Sequence, residues 1–160
     1  MTTREAETGA VTLRLDGEAA TARLGAALAA RARPGDSILL SGPYGAGKTA
    51  LARAFLRAAA GDPHLVVPSP SFTLVQTYAL AGGVTAWHFD LWRLGGAADL
   101  AELGWDEAVS GIVLVEWPER LGPLAPPGAL SVSLAHVPGA AEARLATLSG
   151  WADRLPALAA

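Results

Sequence analysis

Residues 42–49 constrain the fold of this chain more than any other stretch, because they read GPYGAGKT. This segment matches Gly-x-x-x-x-Gly-Lys-Ser/Thr, the P-loop, in which backbone N–H groups cradle phosphates. The apolar run 37–41 before it predicts a buried strand, and residues 48–60 after it predict a helix that ends at Gly61. This strand–loop–helix context favours a phosphate site over a glycine-rich turn before a core helix.

The groups of this loop have predictable roles. Its glycines let the chain bend so that successive N–H groups point at one anion. We expect Lys48 to reach the β- and γ-phosphates and the Thr49 hydroxyl to hold Mg²⁺. Lys48 is the only lysine, since the other eleven of the 12 basic residues are arginine, and a compact ammonium suits a phosphate loop better than a forked guanidinium. The predicted nucleotide contacts here are Gly42, Gly45, Ala46, Gly47, Lys48, Thr49 and Ala50.

Composition limits the remaining possibilities. The 160 residues suffice for one domain with its own core, to which we expect residues 1–9 and 151–160 to be peripheral. The tail at 151–160 is expected to be either a short docking helix or a frayed end. Hydrophobic residues make up 51% of the chain, but no apolar run approaches the roughly 18 residues of a membrane span. There is no cysteine, so disulfides and cysteine metal sites are excluded. A net charge of −3 argues against a broad nucleic-acid-binding face, and we expect a cytoplasmic protein that meets nucleic acid only through a partner.

Hydrophobic periodicity predicts the other elements of the fold. Strands are expected at 11–15, 73–80, 84–89, 111–116, 130–134 and 143–148, and helical segments at 18–32, 99–103 and 106–109. We expect Asp16 to cap the helix at 18–32. Residues 73–89 predict an antiparallel hairpin, and residues 130–148 predict a second hairpin at an edge of the sheet. In the helix after the P-loop, the predicted buried stripe is Leu51, Ala54, Phe55 and Ala58, with Arg53 and Arg57 in solvent.

Residues 65–74 form a candidate functional segment, the hydroxyl loop. Pro68 and Pro70 forbid helix and fix an extended, hydroxyl-bearing segment. In nucleotide hydrolases such a loop after the P-loop helix often senses the γ-phosphate. The pattern alone fits a rigid connector equally well, so both interpretations stay open.

Two carboxylates are candidates for the catalytic machinery. Residues 111–116 predict a buried strand that ends in Glu116, at the sheet edge where α/β proteins bind ligands. Glu116 can therefore face the Mg²⁺ that Thr49 holds, and Asp90, which also ends a strand, is its rival for that role. His88 is interpreted as a packing or hydrogen-bonding residue and His136 as a loop residue.

The choice of nucleotide follows by elimination. Asparagine is absent from the chain, so the guanine-reading Asn-Lys-x-Asp motif cannot exist, and adenine is favoured. A small-molecule kinase usually needs an arginine-bearing lid over the transferred phosphate. Only Arg93 and Arg120 lie between the P-loop helix and the last hairpin, so hydrolysis or nucleotide-gated binding is favoured over transfer to a metabolite.

Four motifs in order resemble the TsaE (YjeE) family of small bacterial ATPases. They are GAGKT at 45–49, SPSFTL at 69–74, HFDLWRL at 88–94 and VEWPE at 115–119. The resemblance extends over about residues 11–148. Proteins of this family act in making threonylcarbamoyladenosine (t6A) at position 37 of tRNAs that read codons beginning with A.

The resemblance implies a fold and a set of roles. The fold is an α/β, P-loop NTPase-like three-layer structure with a mixed, partly antiparallel sheet. Thr49 and Glu116 are implied to hold Mg²⁺, and Asp90 to lie near the γ-phosphate as a base or water-positioning group. Thr21, Ser71, Asp90 and Trp117 are implied to lie at the nucleotide, and Lys48, Asp90 and Glu116 are the implied catalytic residues. The implied cofactors are ATP and Mg²⁺, the implied partners are TsaD and TsaB, and tRNA is reached through their complex.

Some positions depart from the family pattern, and alternative functions remain. Ser71 replaces a usual threonine in the hydroxyl loop, which keeps the hydroxyl, and Trp92 replaces a usual tyrosine, which loses one. Pro43 and Tyr44 replace a more usual acidic-Leu pair. The leading hypothesis is an ATPase subunit of a tRNA-modifying complex. The alternatives are a nucleotide-gated interaction module whose hydrolysis is not required, and a small-molecule kinase.

Overall fold

The computed structural model describes residues 3–5 and 9–155. The strands are β1 (Thr3–Glu5), β2 (Val11–Asp16), β3 (Ser37–Ser41), β4 (Val75–Ala79), β5 (Thr85–Asp90), β6 (Ile112–Glu116), β7 (Leu130–Val137) and β8 (Ala140–Ser149). The α-helices are α1 (Glu18–Arg31), α2 (Lys48–Ala60) and α3 (Trp105–Ala108), and 3-10 helices span Ala81–Gly83, Ala97–Leu103 and Pro118–Leu124. Within the described ranges, no helix is long and apolar enough to cross a membrane.

The eight strands within the described ranges form one mixed sheet in the order β1-β2-β8-β7-β3-β6-β5-β4. Strands β7, β3, β6 and β5 run parallel to one another, while the pairs β1–β2, β2–β8, β7–β8 and β4–β5 are antiparallel. This arrangement confirms the predicted α/β fold with a partly antiparallel sheet. Strand β3, which leads into the P-loop, lies among the parallel strands. The carboxyl ends of its neighbours β6 and β7 therefore lie at the same edge of the sheet as the P-loop.

Both faces of the central sheet are covered, which gives three layers. Ile112 and Leu114 of β6 belong to the core cluster that also contains buried residues of α1 and α2. Val113 and Val115 belong to a second cluster with Leu100 and Trp105, from the helical segments that precede β6. The alternation of side chains along β6 thus explains why all five of its residues are buried.

The last hairpin is not at an edge of the sheet, contrary to the prediction. Strand β7 pairs in parallel with β3, and β8 lies between β7 and β2. The edges are formed by β1 and β4. The alternating burial of β7 matches the prediction of one buried face, but such a pattern does not reveal which strand its other side pairs with.

Local details of both long helices also differ from prediction. Gly17, with φ of 87°, holds the N-cap position of α1, while Asp16 stays in β2 and pairs with Arg14 at 2.9 Å. The chain turns there through a conformation that favours glycine, so a side-chain cap is not used.

In α2 the fully buried residues are Leu51, Ala52, Phe55 and Leu56, and Ala58 is exposed. The buried arc is wider than the predicted stripe because α2 packs against α1 as well as the sheet.

The end of the described chain packs into the core rather than lying at its periphery. Trp151 and Leu155 are buried in the cluster formed by α1, α2 and the sheet. Arg154 donates to Asp36 at 2.7 Å and to the Arg31 carbonyl at 2.9 Å. Residues 151–155 therefore agree with the expectation of a docked rather than a frayed tail, while residues 156–160 lie outside the described ranges. At the other end, β1 occupies an edge of the sheet.

Candidate nucleotide-binding site

The P-loop joins the end of β3 to the start of α2, and two of its positions, 42 and 47, require glycine. A Cβ on Gly42 would lie 2.5 Å from the Leu134 carbonyl oxygen, so no larger residue fits against β7 there. Gly47 takes the N-cap position of α2 in a left-handed conformation, with φ of 102°. The Leu51 N–H donates to the Gly47 carbonyl at 3.0 Å. The N–H groups that precede Leu51 in the first turn have no acceptor within the helix and face the loop, as anion binding requires.

Lys48 projects from the first residue of α2 back across the loop. Its Nζ donates to the carbonyls of Gly42, at 2.5 Å, and Pro43, at 3.1 Å. The ammonium lies 4.0 Å from the ring centroid of Trp117. Burial lowers the pKa of Lys48 from its usual value, and nearby carboxylates, of which Glu116 contributes most, act in the opposite direction. The one lysine of the chain is thus a nearly buried cation within the phosphate loop.

Glu116 stands directly beside the P-loop threonine. The Thr49 hydroxyl donates to its two carboxylate oxygens at 2.8 and 3.1 Å. The parallel pairing of β3 with β6 brings the end of β6 to the loop, because Leu40 is the register partner of Glu116. His88 contacts the same carboxylate, with Nε2 at 2.6 Å from Oε2. Glu116 is only 3% exposed, so its partners rather than water stabilise its charge.

Asp90 is the register partner of Glu116 on the neighbouring strand β5. Its Oδ2 accepts from the hydroxyls of Ser69 and Ser71, both at 3.3 Å, and its Oδ1 accepts from the Trp92 N–H at 3.1 Å. The two serine hydroxyls are also within 2.8 Å of each other. The predicted hydroxyl loop is therefore attached to the second carboxylate of the site.

Trp117 follows Glu116 in a left-handed conformation, with φ of 59°. This backbone turn places its ring over Lys48, and its centroid lies 4.6 Å from that of Trp92. The tryptophan at position 92, where the family pattern has tyrosine, thus keeps an aromatic contact at the site.

Thr21 lines a groove of about 800 Å³ beside the P-loop. The walls of this groove include Ala46, Gly47 and Ala50 from the loop and α2. The predicted site residues thus form two groups. Thr21 lines the groove, whereas Lys48 contacts Trp117 and Thr49 contacts Glu116.

Arg144 is a further site residue that sequence reasoning missed. Its guanidinium donates to the carbonyls of Ala46, at 3.2 Å, and Gly45, at 3.3 Å. No motif marks this arginine, which reaches the loop only because β8 lies near the sheet centre. Ser69 was also missed as a partner of Asp90, although the serine pair of the hydroxyl loop signalled it.

The prediction that Arg53 and Arg57 lie in solvent is wrong. Both are partly buried, and their Nε atoms donate to the Val67 carbonyl at 3.2 Å and the Leu65 carbonyl at 2.9 Å. They attach the start of the hydroxyl loop to α2.

The donor set beside the P-loop suits a small hard cation. Thr49 and Glu116 offer oxygen atoms, which Mg²⁺ prefers, and this ion is commonly bound by one or two protein oxygens together with phosphates and water. Over residues 9–155, no group of three or more His, Cys, Asp or Glu side chains could hold a metal by itself. The oxygen donors of Thr49 and Glu116 therefore fit such a cation.

This fold and this loop define the class of P-loop nucleotide-binding proteins. Residues 15–144 match the family described as threonylcarbamoyl adenosine biosynthesis protein TsaE, and the chain belongs to that family.

Individual relatives agree with this assignment. The chain is 38% identical, over 75% of its length and 68% of the relative's, to the tRNA threonylcarbamoyladenosine biosynthesis protein TsaE of Rickettsia conorii. It is 36% identical, over 72% of each chain, to the protein of the same name from Nostoc. Among solved structures, the crystal structure of Bacillus subtilis YdiB is similar, with a TM-score of 0.74 and 25% identity over 99% of this chain and 93% of that one.

Proposed function

We propose that this protein is an Mg²⁺-dependent ATPase that acts on a TsaD–TsaB complex during threonylcarbamoylation of tRNA adenosine 37. The observation that carries the proposal is the contact of the P-loop Thr49 hydroxyl with Glu116 at 2.8 Å. It brings a phosphate-binding loop and a strand-end carboxylate together, as hydrolysis of a nucleoside triphosphate requires. Family membership supplies the tRNA modification in which this chemistry is used.

Nucleotide binding is assigned to the loop and the adjoining groove. The N–H groups of residues 45–50 and the Lys48 ammonium would hold the phosphates. The groove volume of about 800 Å³ falls within the range of ligand sites, and we assign the nucleoside to it beside Thr21. Adenine is proposed because the chain lacks asparagine for the guanine-reading motif.

Thr49 and Glu116 would hold Mg²⁺ through their oxygen atoms. When bound, the ion neutralises charge on the β- and γ-phosphates. Lys48 would exchange its contacts with the Gly42 and Pro43 carbonyls for phosphate oxygens, which are stronger acceptors for an ammonium.

Asp90 is assigned the role of base or water-positioning group. Its Oδ2 accepts from Ser69 and Ser71, so the position of the hydroxyl loop and the orientation of the carboxylate are linked. A water between Asp90 and the γ-phosphorus would give its proton to the carboxylate as it attacks. The same link would transmit loss of the γ-phosphate to the loop.

Slow turnover by the isolated protein is part of the proposal. Arginine fingers supplied by a partner are worth about 10³- to 10⁵-fold in rate. Arg93 is a poor candidate for an internal finger, because its guanidinium lies 4.7 Å from the Phe72 ring. Arg120 donates to the Leu94 carbonyl at 3.3 Å. The same contacts argue against a kinase lid.

We assign the activity to the cytoplasm, where the tRNA substrate is located.

The test is hydrolysis of ATP by the purified chain, alone and with the matching TsaD and TsaB proteins. We expect slow release of phosphate alone and strong stimulation by the pair. A Glu116→Gln variant under the same conditions is the control for contaminating hydrolases. Fast hydrolysis by the isolated chain, or intact binding of ATP without stimulation, would contradict the proposed partnership.

A nucleotide-gated interaction module is the second candidate. The link from Ser69 and Ser71 to Asp90 favours it, because the loop could report bound nucleotide without hydrolysis. Asp90→Ala and Glu116→Ala separate the two functions. If either variant binds ATP but no longer supports tRNA modification, hydrolysis is required. If both support modification fully, the gating function stands.

A further inference from the structure

We propose that His88 is the positioning residue that orients Glu116 for the divalent cation and thereby determines cation affinity. This inference rests on the proposed function, because it concerns the same nucleotide–Mg²⁺ site. None of the nucleotide roles assigned above includes this histidine, which the sequence pattern predicts to be a packing or hydrogen-bonding residue.

The geometry places His88 behind the carboxylate, away from solvent. It lies on β5 two residues before Asp90, so both side chains project from the same face of the strand. Its side chain is completely buried, and its Nε2 lies 2.6 Å from Glu116 Oε2. The pairing of β5 with β6 fixes the two backbones relative to each other, since Asp90 and Glu116 are register partners.

The second ring nitrogen indicates which way this hydrogen bond runs. His88 Nδ1 is buried and has no hydrogen-bond partner among the described residues. If the proton were on Nδ1, that atom would be a buried donor without an acceptor. Nε2 would then have no proton to donate to the carboxylate oxygen 2.6 Å away. The proton therefore lies on Nε2, and the imidazole donates to Glu116.

This donation restricts the carboxylate while leaving it in contact with the P-loop. Oε2 accepts from a buried ring that is held on the strand, and the Thr49 hydroxyl lies 2.8 Å from Oε1 and 3.1 Å from Oε2. Without the imidazole, a carboxylate that is only 3% exposed would lose a strong partner and could rotate away from Thr49. Partners that orient ligating groups typically contribute 10- to 100-fold to metal affinity or activity.

The matched variants are His88→Gln and His88→Asn. A glutamine amide nitrogen reaches the position of Nε2 and can donate to Glu116, whereas the asparagine amide is too short. Both remain polar and smaller than histidine, but they also differ by one methylene. His88→Met, which is about as long as glutamine and cannot donate, is therefore the packing control and should lose as much Mg²⁺ affinity as His88→Asn. His136→Asn, at an exposed position of β7, is the control for the substitution itself.

The measurement is binding of a fluorescent, non-hydrolysable ATP analogue in EDTA and during titration with MgCl₂. We expect all variants to bind the analogue in EDTA within about 3-fold of the unaltered protein, since His88 does not contact the phosphate loop. The half-saturating Mg²⁺ concentration should rise about 10- to 100-fold in His88→Asn and only a few-fold in His88→Gln.

The outcomes separate the inference from the proposed function. Equal Mg²⁺ dependence in His88→Asn and the unaltered protein would overturn the positioning role and leave the nucleotide site intact. Equal loss in His88→Gln and His88→Asn would also overturn it, because packing would then explain the effect. If the unaltered protein bound the analogue without any dependence on Mg²⁺, the proposed cation site itself would be wrong.

Discussion

Asp90 and Glu116 stand side by side at the carboxyl ends of two adjacent parallel strands, yet they have different partners. Asp90 accepts from the serine hydroxyls of a surface loop, and Glu116 accepts from Thr49 on α2. Two neighbouring carboxylates can take different roles when their environments differ. The proposed division of roles is that Glu116 holds the cation and Asp90 handles the attacking water.

Replacing Asp90 by asparagine tests this division. Asparagine keeps the size and can still accept from Ser71, but it cannot take up a proton. We expect hydrolysis in the presence of partners to fall about 10²- to 10⁴-fold, the range for loss of a general base. Nucleotide affinity should change by less than about 3-fold. Steady-state phosphate release and calorimetric ATP binding check the two parts, and loss of binding equal to the loss of rate would contradict them.

Replacing Lys48 by alanine should abolish tight ATP binding. The substitution removes the cation that pairs with the β- and γ-phosphates, and hydrogen bonds to charged groups contribute about 1.5–3 kcal/mol each. We therefore expect affinity to fall by about 10- to 100-fold or more in isothermal titration calorimetry. Arginine at this position should not restore binding, because it lacks the compact ammonium. Unchanged affinity in the alanine variant would invalidate the P-loop assignment.

The pH dependence of stability should change when Lys48 is replaced by methionine. Burial lowers the pKa of Lys48 in the folded state from the usual 10.5, so folding disfavours the charged form. This destabilisation is complete below the folded-state pKa and disappears as pH rises from that value to 10.5. We expect the methionine variant to unfold at a higher temperature at pH 7 and the difference to shrink toward pH 10. Thermal unfolding of both proteins across this range is the measurement, and a difference that grows with pH would refute the prediction.

Removing the Arg144 guanidinium should weaken nucleotide binding without unfolding the protein. Its donation to the Ala46 carbonyl fixes one peptide plane of the loop, and the N–H of Gly47 in the same plane points the opposite way. We expect Arg144→Ala to lower nucleotide affinity by about 10-fold, consistent with the loss of one or two charge-assisted hydrogen bonds.

The control for this variant is Arg14→Ala, an arginine on β2 whose partner is the exposed Asp16. Its nucleotide affinity should stay within about 2-fold of the unaltered protein. Equal affinities in both arginine variants would show that the loop keeps its shape without Arg144.

Local signals were sufficient to predict the central motif and most of the elements, although β1 (Thr3–Glu5) and the 3-10 helix Pro118–Leu124 were not predicted. The P-loop strand and helix lie at the predicted residues, and the apolar run that ends in Glu116 is a fully buried strand. These features depend on periodicity, glycine positions and short motifs, all of which are visible within about 15 residues.

Long-range pairing explains what the sequence did not reveal. The position of the last hairpin depends on the parallel pairing of β7 with β3, and no local pattern encodes that choice. The roles of Arg144 and His88 depend on the same sheet order, because each reaches its partner from another strand. The packing of Trp151 likewise depends on where α1 and the sheet leave space for it.

The contact between Arg144 and the P-loop also bears on how the protein is made. The two partners are 98 positions apart in the chain, so the loop is synthesised long before the residue that holds its carbonyls. Contacts of such sequence separation slow the folding of a domain. A nascent chain that ends before β8 carries the complete P-loop motif but lacks the arginine that holds two of its carbonyls.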